Sequence, residues 1–238
     1  MSNMKTKKSQ ESQRLLDSVK EMYNDPGEVE IRIENLKIGI REAEQAFVEK
    51  FPADSRLLDI GCATGRLCFA LARQGYNVTG IDVAKKQIEQ AQQFAEKERV
   101  NVTFLQYEMP TLPFPDASFA AAFMGNVYCY VPHRASRIAF LAEIARVLYP
   151  NGEVLMSQTV LDSVLESYEE IYDDNHHQFA PDYETLEEGD GFALGAPHYL
   201  HYFFAEDLIK ELEASPFQIV HSVLKKERFT CILRKQNT

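Results

Sequence analysis

Between Arg56 and Gly75 the chain reads "RLLDIGCATGRLCFALARQG". Leu57, Leu58 and Ile60 form a short apolar block that breaks at Gly61 and Gly65, with the small Ala63 midway between them. The following "CFALAR" is almost wholly apolar and stops at Gly75. This pattern predicts a buried strand, a tight small-residue turn and a helix in immediate succession. The alternation continues downstream. "YNVTGID" (76–82) predicts a strand, "AKKQIEQAQQFAEKE" (84–98) an amphipathic helix through Ile88, Ala91 and Phe94, and "VNVTFLQ" (100–106) a strand. "FAAAFM" (119–124) predicts a fourth strand, "ASRIAFLAEIARVLYPNG" (135–152) a helix stopped by Pro150 and Gly152, and "EVLMSQ" (153–158) a fifth strand. Alternating strands and helices imply an α/β fold with a mostly parallel sheet, helices on both faces, and a ligand at the carboxyl ends of the strands beside the first one. After the helix expected at "AEDLIKELEAS" (205–215), the runs "FQIVHSVL" and "RFTCILR" are parted only by "KKE". That spacing suits a hairpin, so one of the last two strands runs antiparallel to the sheet.

The flanks are different. Residues 1–13, "MSNMKTKKSQESQ", show no apolar period and are expected to be a flexible tail. The segment 14–50 reads as helical. Asp25 is an N-cap, Pro26 suits the first helical position, Glu28 completes a capping box, and Val29, Ile33, Leu36, Ile40, Ala43 and Phe47 repeat at helical spacing, as one long helix or two short ones. In "TVLDSVLESYEEIYDD" (159–174), Val160, Leu161, Val164, Leu165, Tyr168, Ile171 and Tyr172 share one helical face, opposite Asp162, Glu166, Glu169 and Asp173. The next thirty or so residues, "NHHQFAPDYETLEEGDGFALGAPHYLHYF", have no period and are rich in aromatic, histidine and acidic residues.

At 238 residues and 45% hydrophobic content the chain can build a sizeable core. Its net charge of −11 disfavours a phosphate backbone as partner. That charge is localised, because 14 of the 36 acids and none of the 25 bases fall between Val147 and Ile209, leaving the remainder at +3. Cys62, Cys68, Cys129 and Cys231 form neither a C-x-x-C pair nor a disulfide framework. With no export signal or membrane-length apolar run, the expected protein is soluble and cytoplasmic, a monomer or homodimer with a small-molecule substrate and neither nucleic acid nor membrane as partner.

The loop at 61–65 narrows the ligand. A dinucleotide fold calls for G-x-G-x-x-G facing a pyrophosphate, whereas the small residues here fall two apart, at 61, 63 and 65. Asp59 would repel a pyrophosphate and suits a ligand with a positive charge, such as an amino group.

Four segments in order, "LLDIGCATG", "GID" (80–82), "LPFPDASF" (112–119) and "EIARVLYPNGEV" (143–154), resemble the class I S-adenosylmethionine-dependent methyltransferases acting on small molecules, over about residues 51–233. The resemblance implies a Rossmann-like seven-stranded sheet with a C-terminal antiparallel hairpin. It also implies a methyltransferase domain over 51–238 that carries a substrate cap inserted at about 159–204, with residues 14–50 packing over the cofactor side. It implies S-adenosylmethionine as cofactor and S-adenosylhomocysteine as product. Asp59 and the loop Gly61, Cys62, Ala63 and Gly65 would hold the methionine amino end, and Asp82 the ribose hydroxyls. Val83 and Met109 would pack the adenine, Glu108 would meet its amino group, and Asn126 would lie near the methionine moiety. Ala63 stands where many members have glycine, an exchange without cost only if the backbone there avoids positive φ. Tyr130 stands where many have histidine.

Methyl transfer from a sulfonium needs chiefly an aligned nucleophile in a dry pocket, with a base only where the acceptor must lose a proton. His133, His198 and His201 are the candidate bases, and Tyr23, Tyr128, Tyr130 and Tyr199 the candidate substrate contacts. His176 and His177 lack the spacing of a metal site, and no metal is expected. The expected activity is methyl transfer to an oxygen or nitrogen of a small molecule, with amines and phenols in view; a cation is favoured because the cap holds no Lys or Arg. The alternative is a cofactor-binding sensor or interaction protein without transfer activity. An NAD-dependent oxidoreductase is disfavoured by the glycine spacing.

Overall fold

The computed structural model describes residues 2–163, 179, 183–192 and 197–236. The N-terminal part contains α1 (Ser2–Tyr23), α2 (Pro26–Asn35), a 3-10 turn (Leu36–Ile38) and α3 (Glu42–Val48). The alternating part runs β1 (Arg56–Ile60), α4 (Arg66–Arg73), β2 (Asn77–Asp82), α5 (Lys85–Glu98), β3 (Thr103–Gln106) and β4 (Phe119–Gly125). A second 3-10 turn (Tyr128–Tyr130), α6 (Arg134–Val147) and β5 (Leu148–Thr159) follow. The chain then forms β6 (Asp190–Phe192), β7 (Tyr199–His201), α7 (Ala205–Glu213), β8 (Phe217–Lys225) and β9 (Arg228–Lys235). Among the described residues no helix is long and apolar enough to cross a membrane.

The main sheet has seven strands in the order β3-β2-β1-β4-β5-β9-β8, and β9 pairs antiparallel with both neighbours. This is the expected Rossmann-like sheet with its C-terminal hairpin. The period of two along each strand sends alternate side chains into two cores. Leu58 and Ile60 of β1, Ala122 and Met124 of β4, and Val154 and Met156 of β5 enter one core with Phe140, Leu141 and Ile144 of α6. Leu57, Ala121, Phe123 and Leu155 enter the other with Phe47, Leu71, Ile88 and Ala91 of α3, α4 and α5. Each side chain so buried contributes roughly 1.5 to 3 kcal/mol, and Leu58→Ala would forfeit about 2 to 5 with its cavity.

Two boundaries differ from expectation, and one open alternative is resolved. Residues 1–13 are not a tail, since α1 is helical from Ser2. Its Leu15 and Val19, one helical turn apart, pack on Phe192 and Tyr199 of β6 and β7. Glu11 accepts from the amide of Thr185 at 3.2 Å and Ser18 Oγ from the amide of Tyr199 at 3.1 Å, so α1 and the β6–β7 hairpin form one layer. The segment from Asp25 is two helices parted at Gly39, whose φ of 65° a continuous helix cannot hold. Finally, α6 ends at Val147 and β5 begins at once, because Leu148 pairs with Phe119 across a bulge. Of the inserted segment, 164–178, with His176, His177 and most of the expected acidic helix, lies outside the described residues.

Candidate active site

The turn between β1 and α4 is fixed from both sides. Gly61 and Cys62 donate their amides to the Ile81 carbonyl at 2.8 and 3.0 Å. Gly61 has φ 71° and Gly65 φ 90°. A Cβ on Gly61 would stand 2.3 Å from Val127 Cγ2, and one on Gly65 2.6 Å from Phe104 Cζ, so sequence and packing both demand glycine. Ala63 sits at φ 48°, so the exchange from glycine does carry a cost, on the order of 1 to 2 kcal/mol. The backbone is held in this conformation by Asp82: Ala63 N donates to Asp82 Oδ2 at 2.9 Å, while Ala84 N donates to Oδ1 at 2.8 Å. Burial raises the Asp82 pKa against these two amides and Arg32. Each of its oxygens keeps a lone pair for a further donor.

A cavity of about 570 Å³ opens at the carboxyl ends of β1, β2, β4 and β5. Asp59, Gly61, Cys62 and Ala63 line it from β1 and the turn, Asp82 and Val83 from β2, and Met109 and Asn126 from the loops after β3 and β4. Gly65 starts α4 just outside. Asp59 is buried, accepts from Cys68 Sγ at 3.2 Å, and is pushed up to about 7 by burial, with the Cys68 thiol and Arg66 acting in the opposite direction. Tyr23 and Tyr130 close one side, hydroxyl to hydroxyl at 2.9 Å with their rings edge to face. Burial raises both phenols, Tyr23 to about 12.

The N-terminal helices and β9 add residues that the sequence reading missed. Arg32, Arg41, Glu44 and Arg66 line the cavity, as do Ser157, Arg228 and Thr230. Thr64 Oγ1 donates to the Arg32 carbonyl at 2.8 Å, tying α2 to the turn. Glu44 takes two bonds from Arg66, at 2.8 and 2.5 Å, and one from Arg41 Nη1 at 3.3 Å. Burial raises the Glu44 carboxyl and the Arg66 guanidinium outweighs it, so the group is held below its ordinary value. Four arginines on the cavity offer an anion cationic partners that the cap itself lacks. They come from outside the window Val147–Ile209 in which none was counted.

Several expected site residues lie elsewhere. Glu108 is exposed and ion-paired with Lys20 outside the cavity. None of the three candidate histidines lines it. His133 is buried at the start of α6, with Nδ1 3.7 Å from Glu187, and His201 Nδ1 meets Asp190 at 2.7 Å. His198 is half-buried, with its pKa lowered by burial. Tyr199 is fully buried and donates to Asp190 at 2.6 Å. Tyr128 is equally buried and donates to Glu211 at 2.9 Å, beside the Arg137–Glu211 pair at 2.6 Å. The contacts of Tyr128, His133, Tyr199 and His201 lie where the β6–β7 hairpin meets α6 and α7.

The two cavity carboxylates differ in what they can take. Asp59, poised near neutral, fits an ammonium, and Asp82, with an open lone pair on each oxygen, fits a diol. S-adenosylmethionine carries both groups, so the residues present fit it.

A methyltransferase-domain family model matches residues 57–152. The chain is 32% identical over 165 residues to the uncharacterized methyltransferase YcgJ of Bacillus subtilis, covering 66% of this chain and 60% of that protein. It is 34% identical over 114 residues to the O-methyltransferase resE of Aspergillus sclerotiorum, covering 47% and 42%. Among solved structures, a SAM-dependent methyltransferase from Methanosarcina mazei superposes with a TM-score of 0.69 at 25% identity, covering 83% of this chain and 98% of that one. The chain thus spans 42 to 60% of the length of these two curated relatives.

Proposed function

We propose that the chain is a class I S-adenosylmethionine-dependent methyltransferase that takes S-adenosylmethionine as cofactor and transfers a methyl group to a small-molecule acceptor. The observation that carries this reading is the pair of carboxylates, Asp59 and Asp82, at the ends of adjacent strands on one cavity wall, with the turn held between them. The cofactor supplies, when bound, an electrophilic methyl on a sulfonium. In this reading Asp59 pairs with its ammonium, Asp82 accepts from its ribose hydroxyls while its other lone pairs hold Ala63 and Ala84, and Val83 and Met109 pack its base. Asn126, fixed through Oδ1 by the amide of Thr159 at 2.9 Å, stands between cofactor and acceptor.

The chain's other contribution is alignment and exclusion of water. Tyr23 and Tyr130 wall the cavity and, with raised pKa values, act at neutral pH as hydrogen-bond donors rather than bases. With no described histidine on the cavity, an acceptor that ionises readily is favoured. The O-methyltransferase name of the Aspergillus sclerotiorum relative supports oxygen as the methylated atom. The test is release of S-adenosylhomocysteine across phenol, carboxylate, amine and alcohol acceptors. Turnover with an oxygen acceptor is expected, and cofactor binding with no turnover on any acceptor would favour the sensor reading.

A further inference from the structure

Arg228 is the first residue of β9, and β9 runs antiparallel to β5 with Arg228 opposite Thr159. Its side chain therefore stands at the carboxyl edge of the parallel strands, the edge on which the cavity opens. Its recorded hydrogen bonds are long ones, from Nη1 to Asn126 Oδ1 at 3.4 Å and to Ser157 Oγ at 3.5 Å. Among the described residues no carboxylate pairs with it. Arg41 lines the same cavity. Burial lowers the Arg228 pKa and the charge of Arg41 lowers it further. Glu44 is shared between Arg41 and Arg66, so that trio keeps one positive charge, and Arg228 adds a second.

Asp59 and Asp82 do not neutralise this end. They sit on β1 and β2, three and four strands from β9, or roughly 14 and 19 Å at the usual strand spacing. In a chain of net charge −11, a cavity lined by Arg228 and by a trio that keeps one spare positive charge is a repulsive arrangement that an anion would relieve. Paired oxygens also match guanidinium forks.

We propose that Arg228, assisted by Arg41, docks a carboxylate carried by the methyl acceptor, so that the substrate is an anionic small molecule. The inference rests on the methyl-transfer reading of the cavity and adds the acceptor's charge to it. The cofactor's own carboxylate is the rival occupant. A ligand whose ammonium is held at Asp59 keeps its carboxylate near β1, three strands from Arg228.

The test uses the full chain with S-adenosylhomocysteine bound and three probes that share a phenol and differ in charge: para-hydroxybenzoate, para-hydroxybenzamide and para-hydroxybenzylamine. Calorimetry should show the acid bound at least about tenfold more tightly than the amide, with the preference falling below roughly threefold in Arg228→Gln and partly returning in Arg228→Lys. The affinity for S-adenosylhomocysteine should stay within about twofold in both variants, and both should melt at or above the wild-type temperature, because no described ion pair is lost. Failure of the acid to bind, equal binding of amide or amine, or a preference that survives Arg228→Gln would overturn the proposal. A roughly tenfold loss of S-adenosylhomocysteine affinity in Arg228→Gln would also overturn it, by assigning Arg228 to the cofactor. Failure of S-adenosylhomocysteine to bind the wild type would instead strike the underlying methyl-transfer reading.

Discussion

The amide of Ala63 donates to the Asp82 carboxylate at 2.9 Å, so the acid at the end of β2 holds the turn that leaves β1. Asp82 thereby has two duties, one toward the turn and one toward the ligand. Asp82→Ala removes both and should weaken binding of S-adenosylhomocysteine by roughly 2 to 4 kcal/mol, on hydrogen bonds to a charged group of about 1.5 to 3 each with incomplete additivity. Calorimetry on the variant checks this, and an unchanged affinity would remove Asp82 from the site.

Asp59 predicts a pH dependence. Its folded pKa, pushed up to about 7 by burial with the Cys68 and Arg66 contributions opposing, lies well above the 3.8 of an ordinary aspartate. The native state therefore holds the proton more tightly than the unfolded chain, and the associated stability is full below the unfolded value and lost as pH rises toward 7. At about 1.36 kcal/mol per unit the loss is on the order of 4 kcal/mol. Asp59→Asn should melt above the wild type at about pH 8, with the gap closing toward about pH 4. A ligand ammonium needs the charged form, so cofactor affinity should rise about tenfold per pH unit up to neutrality and then level off. Titration of affinity against pH, wild type beside Asp59→Asn, would reveal a flat wild-type profile if the reading is wrong.

Helices α6 and α7 are joined through a buried ion pair. Arg137 donates to Glu211 at 2.6 and 3.0 Å, with the arginine 1% and the glutamate 5% exposed. Arg137→Met leaves the buried carboxylate with the Tyr128 hydroxyl and the more distant Arg134, at 3.8 Å, and should cost about 3 to 5 kcal/mol in urea unfolding. Pairing it with Glu211→Leu should recover most of that loss, since replacing both charges with apolar groups is often near neutral. A single variant that costs less than about 1 kcal/mol would show the pair to be solvated.

The parts of the fold that the sequence made legible are those whose order depends on local pattern. The strand–turn–helix at 56–75 could be read because three apolar residues, two glycines and an apolar helix leave the backbone few alternatives. The hairpin from Phe217 could be read because "KKE" is too short for anything else. Helix α1 escaped because only Leu15 and Val19 among its described side chains are buried apolar groups, and its order comes from packing on β6 and β7. The cavity wall formed by Asp59 and the 61–63 turn lies within that same local pattern. Glu108 lies off the cavity lining, in ion pair with Lys20 of α1, and the proline-rich loop that follows it carries no pattern that fixes its register. Which histidines line the cavity was not legible, because a histidine's identity does not tell whether it faces a cavity or, as His201 does, a buried acid. The arginines were missed because charge was counted along a window of sequence, whereas the cavity gathers cations from α2, α4, the start of α3 and β9. The antiparallel sense of β9 held the clue: it brings the strand's first residue, Arg228, to the ligand edge.

The most direct test of the central claim is calorimetric titration of the full chain with S-adenosylmethionine, S-adenosylhomocysteine and NAD under identical conditions. The carboxylates of Asp59 and Asp82 and the 61–63–65 spacing predict saturable one-to-one binding of both sulfur ligands in the micromolar range, about −8 kcal/mol, and no binding of NAD. Tight binding of NAD with neither sulfur ligand retained would contradict the account.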